Sequence, residues 1–201
     1  MQVVLPDVET LARIEIDFRP MDDEEFFAFC AKNPDLRIER EANGDIIIIP
    51  PTGGETGNRN YDLIVQLGMW SKRDGRGRGF DSSTGFLLPN GAALAPDASW
   101  VLNNRLARLT REQKKGFVPL CPDFVVELTS PSDRLSRVQA KMQQWIENGV
   151  ALGWLIDADQ RTVYVYRPGK DPERLTDVDH VDGEGPVQEF RLELTDIWQG
   201  L

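Results

Sequence analysis

The sequence predicts a mixed α/β (α+β) domain, a central sheet flanked by α-helices with additional β-hairpins. Three observations carry this expectation. Apolar runs of strand length recur along the chain, among them "DIIIIPP", "PDFVVELTS" and "RTVYVYRPG". Two longer segments, "NRNYDLIVQLGMWSKR" and "PSDRLSRVQAKMQQWIENG", place apolar residues at helical spacing. Strand and helix signals alternate, which brings helices onto a sheet. No linker, repeat or low-complexity segment interrupts the order, so one domain over 1–201 is expected. An N-terminal helix and hairpin occupy 22–50, a core about 55–167, and a C-terminal extension 168–201.

Each element has a local reason. "MDDEEFFAFCAKNP" reads as a short helix, with acids in its first turn, where the helix dipole favours them, and a Pro stop. "LRIEREANGDIIIIPP" reads as a β-hairpin turning at Asn43-Gly44. "PTGGETG" is a glycine-rich connection into the first long helix, whose expected apolar side is Tyr61, Ile64, Val65, Leu67 and Gly68. "DGRGRG" is expected to end that helix as a loop. "FDSSTGFLLPNG" and "AALAPDASWVL" follow as short strands, then "NNRLARLTREQKKG" as a surface helix or two turns. "CPDFVVELTS" is a strand. The next helix opens at Pro131 and Ser132-Asp133, closes at Gly149 and carries an apolar stripe of Val138, Met142, Trp145 and Ile146. "ALGWLIDADQRTVYVYRPG" is a strand pair turning at Asp157–Gln160. From Gly169 the tail is acidic and is expected to be loop-rich.

Composition narrows the function. The formal net charge is −10 and the pI near 4.7, which argues against a protein that coats nucleic acid by charge alone. A local basic patch beside metal-neutralised carboxylates is compatible with that total. The single histidine, His180, argues against a His/Cys zinc site and a Ser-His-Asp triad. Cys30 and Cys121 fit no metal spacing, and with no signal peptide or bilayer-length apolar run the expected location is cytoplasmic.

The residue that calls for explanation is Glu127. It sits between Val126 and Leu128 in an apolar strand, where an unpaired charge is costly to bury. Alternation puts Asp123, Val125, Glu127 and Thr129 on one face of that strand. Asp123 and Glu127 stand about 13 Å apart along it, too far to share one ion. A partner must come from elsewhere, and Asp97 in "APDASWV" opens a strand that can lie alongside. Oxygen-only ligation of this kind suits Mg²⁺ or Mn²⁺. Lys141 borders the apolar stripe of the following helix, three residues after Val138 and four before Trp145, within reach of the carboxylate strand. Taken singly, Asp97 and Asp123 read as turn chemistry and Lys141 as a snorkelling edge residue. The order strand Asp, strand Glu, helix Lys is what suggests a site.

"PTGGETGNRN", "DSSTGFLLPNG", "APDASWV", "CPDFVVELTSPSD", "QAKMQQWIENGV" and "LGWLID" together resemble the Uma-two family of putative restriction endonucleases, within the PD-(D/E)xK nuclease superfamily. The resemblance runs from about Asp22 to the C-terminus. It implies a restriction-endonuclease-like core with a four-stranded mixed sheet. It implies a metal-dependent endonuclease acting on DNA, with Asp97 and Glu127 holding Mg²⁺ (or Mn²⁺) and Asp97, Glu127 and Lys141 catalytic. Thr129 stands where the superfamily's lysine is expected, so Lys141 takes that part from the helix. Glu55 and Asp123 are accessory candidates. Lys72, Arg73, Arg76 and Arg78 are candidates for nucleic-acid contact, and apolar tail strands for a homodimer contact. The alternative is a catalytically inactive nuclease-fold protein serving as a binding or regulatory module.

Overall fold

In the computed structural model, the described residues are 20–131 and 133–201. Ser132 and residues 1–19 lie outside them; Pro131 and Asp133, where the second long helix is expected to open, are described and precede it, since that helix starts at Leu135 with Arg134 as its N-cap.

Helix α1 (Asp23–Lys32) begins with a capping box: Asp22 accepts from the Glu25 N–H while Glu25 accepts from the Asp22 N–H. The hairpin β1 (Arg37–Arg40) and β2 (Ile46–Ile49) follows, turning through Gly44 at φ +93°. The long helix α2 (Gly54–Asp74) ends on a left-handed Gly75. Its buried face runs through Leu63, Leu67 and Trp70, about a third of a turn from the expected side, and Tyr61 is exposed. The tail decides this: it packs on α2 from a direction that the helix's own periodicity does not specify.

Residues 77–79, expected within the loop that ends α2, are strand. Strand β3 (Gly77–Asp81) pairs antiparallel with β6 (Ala98–Leu102). Gly77 makes this possible, because a Cβ there would lie 2.3 Å from the Trp100 ring and 2.5 Å from the Val101 carbonyl oxygen. Gly77→Ala is expected to destabilise the fold by about 1–3 kcal/mol, since backbone as well as ring must move. An unchanged denaturant midpoint would contradict this packing account.

"AALAPDASWVL" divides at Pro96 into β5 (Ala93–Leu94) and β6. Strand β4 (Phe86–Leu87) pairs with β5, and β5 with β1, giving a small sheet of order β2-β1-β5-β4. A short helix α3 (Asn103–Leu106) leads through turns to β7 (Phe124–Leu128). Helix α4 (Leu135–Glu147) then returns the chain to β8 (Leu152–Asp157), parallel to β7. Strands β9 (Thr162–Tyr166) and β10 (Glu173–Thr176) complete a six-stranded sheet of order β10-β9-β8-β7-β6-β3, wider than the four strands the family resemblance implies.

The acidic tail is structured. It forms β11 (His180–Asp182), β12 (Arg191–Glu193) and helix α5 (Thr195–Gln199). Its apolar residues Val181, Phe190, Leu192, Ile197 and Trp198 are buried against the main core, so they do not form the exposed dimer surface the sequence suggests. Phe190 stacks on Trp154 at 5.6 Å.

The sheet has two apolar faces. Phe124, Val126 and Leu128 of β7 join Leu63, Leu67 and Trp70 of α2 on one side. Val125 joins Met142 and Trp145 of α4 on the other. Glu127 therefore faces α4, as strand alternation requires. No helix among the described residues is long and apolar enough to cross a membrane.

Candidate active site

Two strands and two further elements converge on the end of the sheet where β7 finishes and β6 begins. The ladder pairs Ala98 with Val126 and Ser99 with Val125. One step further along that register, Asp97 stands opposite Glu127. Asp97 Oδ2 accepts the Leu128 N–H at 2.8 Å, which ties the side chain to β7. Pro96, just before Asp97, has no N–H to give to the ladder, and the Asp97 side chain supplies the acceptor for the Leu128 N–H.

Helix α4 covers the same face. Lys141 and Trp145 are four residues apart and share one side of it. Trp145 Nε1 donates to Glu127 Oε1 at 2.9 Å. Lys141 Nζ lies 3.0 Å from Glu127 Oε1 and 3.3 Å from Oε2. Thr129, where the superfamily pattern expects lysine, instead turns its hydroxyl to the Ile156 carbonyl at 3.4 Å. The cation at this site thus comes from the helix.

A third carboxylate, not among the sequence candidates, is present. Glu39 of β1 is 3% exposed and accepts from Lys141 Nζ at 2.9 Å and from the Ala95 N–H at 3.0 Å. Arg37, two residues earlier and on the same side of β1, donates to the Ala95 carbonyl at 3.0 Å and lies 3.7 Å from Asp97 Oδ1. The pattern "RIER" resembles a solvated hairpin strand. The signal available was Glu39 itself, a charge in a strand whose partner strand is four isoleucines.

Burial raises the Asp97 carboxyl above its usual range, against the pull of Arg37 and the Leu128 N–H. Burial also raises Glu127, to about 7; Lys141 opposes this, while Asp97 and Glu39 add to it. Burial pushes the Lys141 ammonium down, but Glu127 and Glu39 outweigh it and hold the group above its ordinary value. Lys141 is thus a fixed positive charge rather than a base, while burial favours the neutral forms of the two facing carboxylates.

The other sequence candidates lie apart from this cluster. Asp123 is at the far end of β7, where it accepts from the Leu102 N–H and from Arg105 at 2.8 Å. Glu55 is inside the first turn of α2 rather than before it, and is paired with Arg59 at 2.8 Å. Arg76 is paired with Asp74 at 2.6 Å and sits over the Trp100 ring. Lys72, Arg73 and Arg78 are exposed and have no ion-pair partner among the described residues; Lys72 and Arg78 line a groove of about 460 Å³ between α2 and the edge strand β3.

Among the described residues, no three His, Cys, Asp or Glu side chains gather into a cage for a metal ion. The facing pair Asp97 and Glu127 fits a sparser arrangement, in which Mg²⁺ is held by one or two carboxylates and keeps several waters. A divalent cation there would favour the charged forms that burial disfavours.

A family model described as "Putative restriction endonuclease" (Uma2) matches residues 23–195. The chain is also similar to the crystal structure of a putative nuclease belonging to DUF820 from Anabaena variabilis ATCC 29413. The two are 24% identical, the match covers 90% of this chain and 98% of that one, and the TM-score is 0.72. At that identity the likeness speaks for the fold. No curated protein matches the chain.

Proposed function

As this chain belongs to the Uma2 family, we propose that it is a metal-dependent endonuclease of the PD-(D/E)xK type that hydrolyses phosphodiester bonds in DNA. Asp97 and Glu127 hold Mg²⁺ or Mn²⁺, and Lys141 is the catalytic cation. The observation that carries this reading is the meeting of two facing carboxylates and one ammonium where β7 finishes and β6 begins in a nuclease-type sheet. An ion bound there supplies Lewis acidity toward a phosphodiester and its attacking water. Trp145 fixes the orientation of Glu127. Lys141 stays protonated and is placed to stabilise negative charge developing on the phosphate. Lys72, Arg73 and Arg78 supply sequence-independent phosphate contacts along the rim of the edge strand.

A second reading rests on one observation. Glu127 is already satisfied by Lys141 and Trp145, as a retired site would be. On that reading the fold serves as a binding module.

Incubation of supercoiled plasmid with the purified protein separates the two. Nicking is expected with Mg²⁺ or Mn²⁺ and none with EDTA. Absence of nicking on duplex, single-stranded and RNA substrates, with both metals, would sink the nuclease reading.

A further inference from the structure

We infer that Glu39 is a positioning residue, which anchors the Lys141 ammonium at the carboxylate pair and makes the N-terminal hairpin an integral part of the site. The inference rests on the nuclease reading for its catalytic consequence but not for the anchoring itself.

The geometry is a closed ring. The Ala95 N–H donates to Glu39 Oε1 at 3.0 Å. Lys141 Nζ donates to the same Oε1 at 2.9 Å and to the Ala95 carbonyl at 3.0 Å. One peptide residue therefore grips both members of a buried ion pair, and it lies two positions before Asp97. An ammonium has three protons. Two are committed to this ring, and the third points to Glu127, whose nearer oxygen is 3.0 Å away. Fixing two protons of a tetrahedral nitrogen fixes the direction of the third. The ring thus sets where Lys141 directs its remaining donor.

The need for such an anchor follows from where the lysine comes from. A lysine on β7 would be registered to Glu127 by the strand itself. With Thr129 in that place, the cation reaches over from α4 on a flexible four-carbon stem. Glu39 shares the charge and holds the nitrogen toward Ala95. The side chain of Glu39 is 4% exposed and that of Lys141 is 17%, so solvent screens the pair little.

The test uses the full chain and its Glu39→Gln variant, which keeps the shape and an acceptor oxygen but removes the charge. The rate at which acetic anhydride labels Lys141, followed by mass spectrometry against the exposed lysines, is expected to rise at least about 10-fold once local restraint is lost. On plasmid, kcat is expected to fall about 10-fold with KM little changed, since phosphate contacts are intact. Ile38→Ala controls for a merely loosened hairpin: Ile38 packs beneath the same strand, in the small core with Phe26 and Ala93. It is expected to lower the thermal midpoint yet leave Lys141 slow to label.

Wild-type labelling in Glu39→Gln would overturn the anchor, whatever the activity. Equal acceleration in Ile38→Ala would overturn it in favour of hairpin docking. Fast labelling with an unchanged kcat would overturn the catalytic consequence. An inactive wild type beside a fast-labelling Glu39→Gln would overturn the nuclease reading and keep the anchor.

Discussion

Glu127→Gln is expected to remove metal-dependent nicking while leaving the protein at least as stable as the wild type at pH 8. Two separate consequences of one buried carboxylate lead to this result. For activity, glutamine has the same shape and still offers an oxygen to Trp145 Nε1. It does not offer the anionic ligand that a hard divalent cation requires. If Asp97 and Glu127 hold the ion as proposed, loss of one of the two carboxylates is expected to lower the cleavage rate by about 100-fold or more. For stability, Glu127 is 4% exposed, and its surroundings favour the neutral form even with Lys141 beside it. An uncharged isostere relieves that burial cost and the repulsion from Asp97 and Glu39. It forfeits the attraction to Lys141, which keeps Glu39 as a partner. The two measurements are nicking at saturating Mg²⁺ and a denaturant midpoint at pH 8 without metal. Wild-type nicking in the variant would remove Glu127 from the site. A large loss of stability would mean that Glu127 is there as a structural ion-pair partner.

The parts of this site that lie on strands were legible in the sequence, and the parts that depend on docking were not. Glu127 and Asp97 could be paired because alternation and an antiparallel register are short-range rules: once β6 lies beside β7, position 97 must face position 127. Lys141 could be placed because helix spacing ties it to Trp145 and so to the buried side of α4. Glu39 and Arg37 could not, since nothing local to "RIER" says which body the hairpin will lie against. Arg40, on the opposite side of the same strand, is buried as well, with Asp23 and the carbonyls of Met21, Asp22 and Gly91 as its partners. A strand buried on both faces by tertiary contacts has no periodic signature when its buried residues are charged. The tail's strands are hard to see in the sequence for a related reason: they are three or four residues long, at or below the shortest length over which alternation is recognised. The rotation of the α2 stripe follows from the same omission, because the tail is part of what α2 buries against.

Stability without metal is expected to fall as pH rises from about 4.5 to about 7, and to level off above that. The carboxyl of Glu127 ordinarily titrates at 4.5 and in the fold at about 7. Between those values the native state holds a proton that the unfolded chain has lost. Raising the pH therefore favours unfolding, the reverse of the usual salt-bridged carboxylate. The full effect is about 3 kcal/mol, from about 1.4 kcal/mol per unit over about 2.5 units, and Asp97, also raised, adds to it in the same direction. A divalent cation acts in the opposite sense. On the proposed reading it would bind the charged carboxylates and not the unfolded chain, so its stabilisation would grow through the same window. Thermal midpoints from pH 5 to 8, with and without Mg²⁺, read both effects, and Glu127→Gln serves as the reference in which most of the pH slope and most of the Mg²⁺ effect vanish. If the wild type and Glu127→Gln ran parallel without metal, the carboxylate would not be held in its neutral form by burial. If Mg²⁺ left the wild-type midpoint unchanged at pH 8, Asp97 and Glu127 would not be a cation site, and the lysine ring around Glu39 would be all that balances them.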